Sequence, residues 1–298
     1  MQSDPLDFER CADVAARLIV DADGLLVCAG AGMGVDSGLP DFRGTQGFWS
    51  AYPALGAARI RFEQIANPDA FASDPRRAWG FHGHRLRLYR RTRPHEGFGI
   101  LRRIGAGLPR GVAVFTSNVD GQFQRAGFGE QSVTECHGSI HWLQCARPCC
   151  THIWQADTVD PEVDESNCML LSELPRCPAC GGLARPNILM FGDSGWLPAR
   201  TDTQLRRLDR WMARVSRPVA IELGAGSAIP TVRMYAQQSG GALVRINPSE
   251  PDVGRVPGVG IACGALAGLR AIQSALMRVK FSANPDGVRS MGGDDASG

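Results

Sequence analysis

Five cysteines, one imidazole and one glycine-rich turn are the groups in this sequence whose types and spacing could do chemistry. Cys177-Pro178-Ala179-Cys180 is a C-x2-C knuckle, and Cys145, Cys149 and Cys150 cluster upstream of it. Two cysteine pairs, each close in sequence, suit a tetrahedral Zn2+ ion at little cost in chain entropy. The upstream pair is Cys145 with either Cys149 or Cys150, and His141 and His152 flank it as alternative ligands. Four protein thiolates leave no open position for water or substrate, so such an ion would be structural. His137, followed by Gly138, is the candidate general base, because imidazole has an unperturbed pKa near neutrality. The turn Ala29-Gly30-Ala31-Gly32-Met33-Gly34 follows the apolar run Leu25-Leu26-Val27-Cys28. Its glycines let backbone amides approach a phosphate where the next helix begins, which is the chemistry of dinucleotide binding.

The elements that must position these groups follow from periodicity. Asp7 to Val20 carries apolar residues at helical spacing and leads into the first strand. Strands are predicted at Leu25–Cys28, Val112–Phe115, Val133–Glu135, Ile188–Phe191, Val219–Leu223 and Leu243–Ile246, with helices at Gln204–Val215, Pro230–Gln238 and Ala265–Val279. This alternation predicts an α/β fold, a Rossmann-like doubly wound parallel sheet. Thr45 to Arg103, helical and aromatic-rich, and His141 to Ala184, cysteine-rich and strand-poor, read as excursions from that sheet. The tail 281–298, rich in Gly, Ser, Asp and Asn, is expected to be disordered.

At 298 residues and 44% hydrophobic composition the chain can bury a full core. No apolar run approaches the roughly 18 residues of a membrane span. The polar start Met1–Arg10 does not read as a secretory signal, so reduced thiols and a cytoplasmic location are expected. Cys11, Cys28, Cys168 and Cys263 read as small packing residues. The net charge of +2 singles out no nucleic-acid partner. The cluster Arg76, Arg77, Arg85, Arg87, Arg90, Arg91, Arg93, Arg102 and Arg103 reads either as a solvated helix face or as a docking surface for acidic substrates or nucleic acid.

Four separated segments together resemble the sirtuin family of NAD-dependent protein deacylases. They are Gly30 to Gly44, which carries Gly38-Leu39-Pro40-Asp41-Phe42-Arg43-Gly44; Thr116-Ser117-Asn118-Val119-Asp120-Gly121; Glu135-Cys136-His137-Gly138-Ser139; and Arg185-Pro186-Asn187-Ile188-Leu189-Met190-Phe191-Gly192-Asp193. The resemblance covers about Gly24 to Leu266. It implies that 1–44, 104–140 and 185–280 form the Rossmann-like NAD-binding domain. The helical insertion 45–103 and the zinc-binding module 141–184 would form the small domain, with NAD and an acyl-lysine peptide meeting between the two. It also favours Cys149 over Cys150 as the second ligand of a zinc set Cys145, Cys149, Cys177 and Cys180, because Ile153 follows Cys149 by four positions.

The implied reaction releases nicotinamide from NAD while the acyl oxygen of the substrate lysine attacks the ribose carbon. His137 would then deprotonate a ribose hydroxyl. Asn118 and Asp120 would position the nicotinamide ribose and amide beside Ser117, with Phe42 over the sugar face and Asp41 and Arg43 holding the loop. Gly30, Ala31 and Gly32 would take the diphosphate, and Gly224, Gly226, Ser227, Asn247 and Cys263 the adenosine end. Ile188, Leu189, Phe191 and Gly192 would receive the peptide. His82 and Arg85 occupy the places of a Tyr-x-x-Arg pair that reads acidic acyl groups in one subgroup, Arg85 pairing with the carboxylate and His82 donating a second hydrogen bond. The chain departs from the family at Gly34 in place of serine, Ser117 in place of glutamine, and Gln122-Phe123 in place of leucine-histidine. Mono-ADP-ribosyl transfer and an NAD-binding sensor of low turnover are the alternatives.

Overall fold

Runs of Val, Ile and Leu bounded by glycine or proline set the strands. The computed structural model describes residues 5–41 and 44–283. Its strands are β1 (Gly24–Ala29), β2 (Val112–Thr116), β3 (Val133–Glu135), β4 (Gly138–Cys145), β5 (Ile153–Gln155), β6 (Val163–Asp164), β7 (Met169–Leu170), β8 (Ala184–Ile188), β9 (Pro218–Leu223), β10 (Ala242–Ile246) and β11 (Gly258–Ile261). The helices are α1 (Pro5–Val20), α2 (Gly44–Ala51), α3 (Pro53–Ala57), α4 (Phe62–Ile65), α5 (Pro68–Ser73), α6 (Pro75–Arg91), α7 (Glu96–Ala106), α8 (Gln122–Arg125), α9 (Ala199–Met212), α10 (Thr231–Gln238) and α11 (Ala265–Ala283).

The main sheet runs β3-β2-β1-β9-β10-β11, with every neighbouring pair parallel. That is the doubly wound order, and its reversal point lies between β1 and β9. β1 is buried along its whole length, which explains why it reads as an unbroken apolar run rather than an alternating one. Ile19 of α1, Phe98 and Leu101 of α7, and Leu269 and Ile272 of α11 cover one face. Leu208 of α9 and Val232 and Ala236 of α10 cover the other.

The small domain corrects two expectations. Ile188–Phe191 is not a strand of the main sheet: β8 ends at Ile188 and pairs antiparallel with β4, which also pairs with β5. The cysteine-rich stretch is accordingly richer in strands than its composition predicts, holding most of β4 together with β5, β6 and β7. Helix α6 is clamped to this module. Trp79 Nε1 donates to the Ala184 carbonyl at 2.9 Å, and Arg90 donates to the carbonyls of Val159 and Ala156 at 2.6 and 2.7 Å. Arg76 donates to Leu170 O at 2.8 Å. Arg76 and Arg90 are therefore tied to this module and Arg85 is buried, while Arg76, Arg87, Arg91, Arg93, Arg102 and Arg103 remain exposed. Helix α11 continues to Ala283, three residues into the expected tail, and the remainder of that tail lies outside the described residues. No helix among the described residues is long and apolar enough to cross a membrane.

Candidate active site

The turns that leave β1 and β9 meet at the reversal point of the sheet, where ligands of doubly wound folds bind. Gly30 N–H donates to Leu223 O at 3.0 Å and Gly32 N–H to Gly224 O at 3.1 Å. A Cβ on Gly32 would stand 2.6 Å from Gly224 Cα, and one on Gly224, whose φ is +58°, would stand 2.3 Å from Gly32 Cα. The two loops touch backbone to backbone, so neither position admits a side chain. Gly224→Ala is expected to cost about 1–3 kcal/mol of stability through backbone strain and to weaken NAD binding about tenfold or more by separating the loops. Thermal melting and calorimetric NAD titration measure the two effects.

A cleft of about 770 Å3 opens beside these loops. Its walls include Gly30, Ala31, Gly32, Asp41, Ser117, Asn118, Asp120, His137, Gly224, Gly226, Ser227 and Asn247, together with His82, Arg85, Ile188, Leu189 and Phe191. Residues from segments more than 200 positions apart thus share one surface. Phe42 and Arg43 lie outside the described residues. Cys263 does not line the cleft but packs on the core, close to Gly268 of α11. Gly192 is likewise off the wall, at φ +65° in the turn after Phe191.

Each polar group is held by a neighbouring element. Asn118 Nδ2 donates to Gly30 O at 2.9 Å, tying the loop after β2 to the loop after β1, and its N–H donates to Thr116 Oγ1 at 3.0 Å. Asp120 Oδ1 accepts the Gln122 N–H at 2.9 Å. Burial pushes the Asp120 carboxyl up to about 6, helped by the Glu135 charge and opposed by the Gln122 N–H and Arg85. His141 is not a metal ligand: its Nε2 donates to the Asp120 carbonyl at 3.0 Å. His152 also stands apart from the thiols, its ring 5.4 Å from that of Trp154. The substituted pair has structural consequences too. Phe123 joins Phe98 and Phe128 in the core, and Gln122 Nε2 donates to Tyr89 O at 3.2 Å. A Cβ at Gly34 would press the Leu39 side chain at 3.2 Å.

His137 follows β3, and its carbonyl accepts the Leu189 N–H at 3.0 Å. Its imidazole has no hydrogen-bond partner among the described residues and faces the cleft, and burial lowers its pKa, so the neutral ring prevails at neutral pH. Beyond it, Arg185 and Asp193 form a fully buried bidentate pair, both bonds 2.8 Å. This pair braces the turn that presents Leu189 and Phe191, which are 38% and 37% exposed.

His82 does not fit the donor role expected of it. Its Nδ1 donates to Ala78 O at 2.9 Å, and burial, then Arg85, lowers its pKa to about 3. The remaining Nε2 of that neutral ring is an acceptor and cannot donate to a carboxylate. Tyr89, one helical turn beyond Arg85 and also on the cleft wall, takes the place beside the guanidinium: Arg85 Nε donates to Tyr89 Oη at 2.9 Å. The i, i+4 spacing of Arg85 and Tyr89 was the available signal.

The Sγ atoms of Cys145, Cys149, Cys177 and Cys180 lie within 4.8 Å of one another. Two of the edges, Cys145–Cys180 and Cys149–Cys177, measure 3.7 Å. A tetrahedral zinc thiolate with Zn–S of about 2.3 Å requires edges of about 3.8 Å. Donor set and spacing therefore fit a structural zinc ion. Cys150 stands outside this group with its Sγ 3.7 Å from that of Cys149.

The family model described as "Sir2 family" matches residues 30–211. The chain belongs to the Sir2 family. NAD-dependent protein deacylase 1 of Archaeoglobus fulgidus is 31% identical over 241 residues, 78% of this chain and 85% of that protein. A solved Sir2 homolog–NAD complex superposes with a TM-score of 0.66 at 25% identity, covering 90% of this chain and 93% of that one. A mutant Sir2 homologue bound to 2'-O-acetyl ADP ribose gives 0.67 at 25% identity, covering 89% and 96%. As a Sir2 protein, this chain uses NAD, and its four-cysteine cluster fits a structural zinc ion; the cleft is lined by the loops of the parallel sheet, by Phe62, His82, Arg85 and Tyr89 of the helical insertion, and by Ile188 to Phe191.

Proposed function

We infer that this Sir2 protein is an NAD-dependent protein lysine deacylase, which moves the acyl group from lysine to ADP-ribose and releases nicotinamide. The observation that carries this reading is a single cleft in which the glycine loops, Asn118, Asp120 and His137 stand beside the exposed edge Leu189–Phe191. NAD supplies an activated sugar carbon; the chain supplies the rest. Gly30, Ala31 and Gly32 border the diphosphate, the Gly30 and Gly32 N–H groups being spent on the Leu223 and Gly224 carbonyls so that Ala31 N–H is the amide of the three offered to it, while Gly224, Gly226, Ser227 and Asn247 hold the adenosine end. Asp41 and Ser117 border the nicotinamide half. Asn118 and Asp120 offer preorganised polar partners where positive charge develops on the ribose. Neutral His137 removes a ribose proton. An extended acyl-lysine segment lies along Ile188 to Gly192 with its acyl chain reaching toward α6. Incubation with NAD and an acyl-lysine peptide is expected to yield nicotinamide, deacylated peptide and acyl-ADP-ribose in equal amounts by mass spectrometry. Free acid in place of acyl-ADP-ribose would contradict the reading.

The end of the acyl pocket points to acidic acyl groups. Arg85 is 8% exposed, lies against the rings of Phe81 and Tyr89, and shares the cleft wall with the Tyr89 hydroxyl. A guanidinium and a phenol at one site read a carboxylate by charge and by direction. Arg85→Ala is expected to lower kcat/KM for a succinyl-lysine peptide about 10- to 100-fold, as charged hydrogen bonds of about 1.5–3 kcal/mol imply, and to change deacetylation several-fold at most. Equal losses on both peptides would contradict the acidic preference. The ten free thiols, four of them converged for zinc, support a reducing compartment such as the cytoplasm.

A further inference from the structure

His95 sits behind the glycine loop rather than on the cleft wall, and three hydrogen bonds fix it. Its backbone N–H donates to Ser37 Oγ at 3.0 Å, its ring Nε2 donates to the Met33 carbonyl at 2.9 Å, and its ring Nδ1 accepts the Gly97 N–H at 3.0 Å. Two of these reach across to the segment Ala31–Ser37 that follows β1; the third caps α7. A backbone N–H can donate only to a ring lone pair, so Nδ1 carries no proton and the ring is the neutral Nε2–H tautomer. Protonation would set one N–H against another at the N-terminus of α7, where the helix dipole also opposes positive charge.

The charged groups facing the ring are Asp36 from the loop, Glu96 from α7 and Arg270 from α11. Both acids are engaged elsewhere. Asp36 Oδ2 accepts the Leu266 N–H at 2.8 Å, and Glu96 pairs with Arg270 at 2.8 Å. Burial lowers the His95 pKa from its ordinary value, the Met33 carbonyl opposing. Met33 itself is fully buried and adjoins Gly32, which is in backbone contact with Gly224. Movement of the Met33 carbonyl therefore moves the loop residues Ala31 and Gly32 that line the cleft.

We propose that His95 is a positioning residue for the cofactor: its neutral ring ties the loop that holds the NAD diphosphate to the start of α7, accepting the Gly97 N–H at Nδ1 and donating to Met33 O at Nε2, and protonation at Nδ1 breaks the tie at its α7 end, so NAD affinity falls in acid. This rests on the reading of Gly30 to Gly34 as the diphosphate loop. The test is calorimetric titration of NAD into the full chain between pH 5 and pH 8, for wild type and for His95→Asn. Asparagine keeps an acceptor for the Gly97 N–H but is too short to reach Met33, so it removes the tie and retains the cap. At pH 8 His95→Asn is expected to raise the NAD Kd about fivefold, as one lost hydrogen bond of about 1 kcal/mol implies. Its melting temperature and its peptide KM at saturating NAD should stay near the wild-type values. The wild-type Kd should rise further toward pH 5, and the gap between the two proteins should close there. An unchanged Kd and pH profile in the variant would overturn the proposal. So would a fall in melting temperature and kcat together with a rise in peptide KM, which would mark His95 as purely structural. Failure of wild type to bind NAD at any pH would instead remove the NAD reading, and this inference with it.

Discussion

His137→Ala is expected to slow deacylation about 10^2- to 10^4-fold, the range for losing a positioned general base, with NAD affinity little changed. The expectation follows from how the ring is held. Gly138, at φ +76°, turns the chain sharply after β3, and a Cβ there would meet Asn187 O at 2.1 Å. The backbone of His137 is fastened by the Leu189 N–H, whereas its ring keeps no partner among the described residues and faces the cleft. A base spared internal hydrogen bonds is available to a substrate hydroxyl. Because burial lowers its pKa below the ordinary value of about 6.5, the active neutral form is present at pH 7 and is lost as the pH falls through the folded pKa. Rates at saturating NAD should therefore be flat near neutrality and decline in acid. Single-turnover kinetics with an acyl-lysine peptide measure the loss, and calorimetry checks that NAD still binds. A variant with wild-type turnover would remove His137 from the mechanism.

Cys177→Ser, or a strong chelator, is expected to strip the zinc and melt the module that carries β4, β5 and β8. Structural zinc in small modules supplies apparent binding energies of about 10–16 kcal/mol near neutral pH, as large as a domain's whole net stability of about 5–15 kcal/mol. Apart from the thiols, backbone bonds hold the knuckle: Cys177 N–H donates to Gly182 O at 2.7 Å, Gly181 N–H to Cys177 O at 2.9 Å, Ala146 N–H to Leu183 O at 2.8 Å and Ala184 N–H to Pro175 O at 2.9 Å. Loss should spread to α6 through the Trp79–Ala184 bond and the two Arg90 bonds. Activity on the peptide should thus vanish while the parallel sheet keeps its circular dichroism. Cys150→Ser should retain a full equivalent of zinc by atomic absorption, since Cys150 lies beside the cluster rather than in it. Zinc lost from Cys150→Ser but kept in Cys149→Ser would reverse the ligand assignment.

What the sequence shows of this molecule depends on how local each constraint is. β1 and its glycine turn are legible because a strand buried on both faces is continuously apolar and the turn follows it directly. The knuckle at Cys177 and Cys180 is legible because each cysteine pair acts within a few residues. β11 was missed: Gly258-Val259-Gly260-Ile261 alternates glycine with branched residues, and only its pairing with β10 makes it a strand. The antiparallel pairing of β4 with β8 joins segments some 40 residues apart, so Ile188–Phe191 reads as one more strand of the parallel sheet. The donor role of His82 failed because a carbonyl four residues back along α6, Ala78 O, decides the tautomer. Tyr89 offers only its i, i+4 spacing from Arg85 and His95 carries no motif, so their places become clear when α6 and α7 are set against the cleft and its loop.

The most direct test of the account is nicotinamide release from NAD in the presence and absence of acetyl-, succinyl- and longer acyl-lysine peptides, with His137→Ala alongside. The account requires release that depends on acylated peptide, is greatest with the succinyl group and is lost in the variant. Release without peptide, with label passing to protein, would instead make the chain an ADP-ribosyltransferase, and NAD binding with no release at all would leave it a sensor.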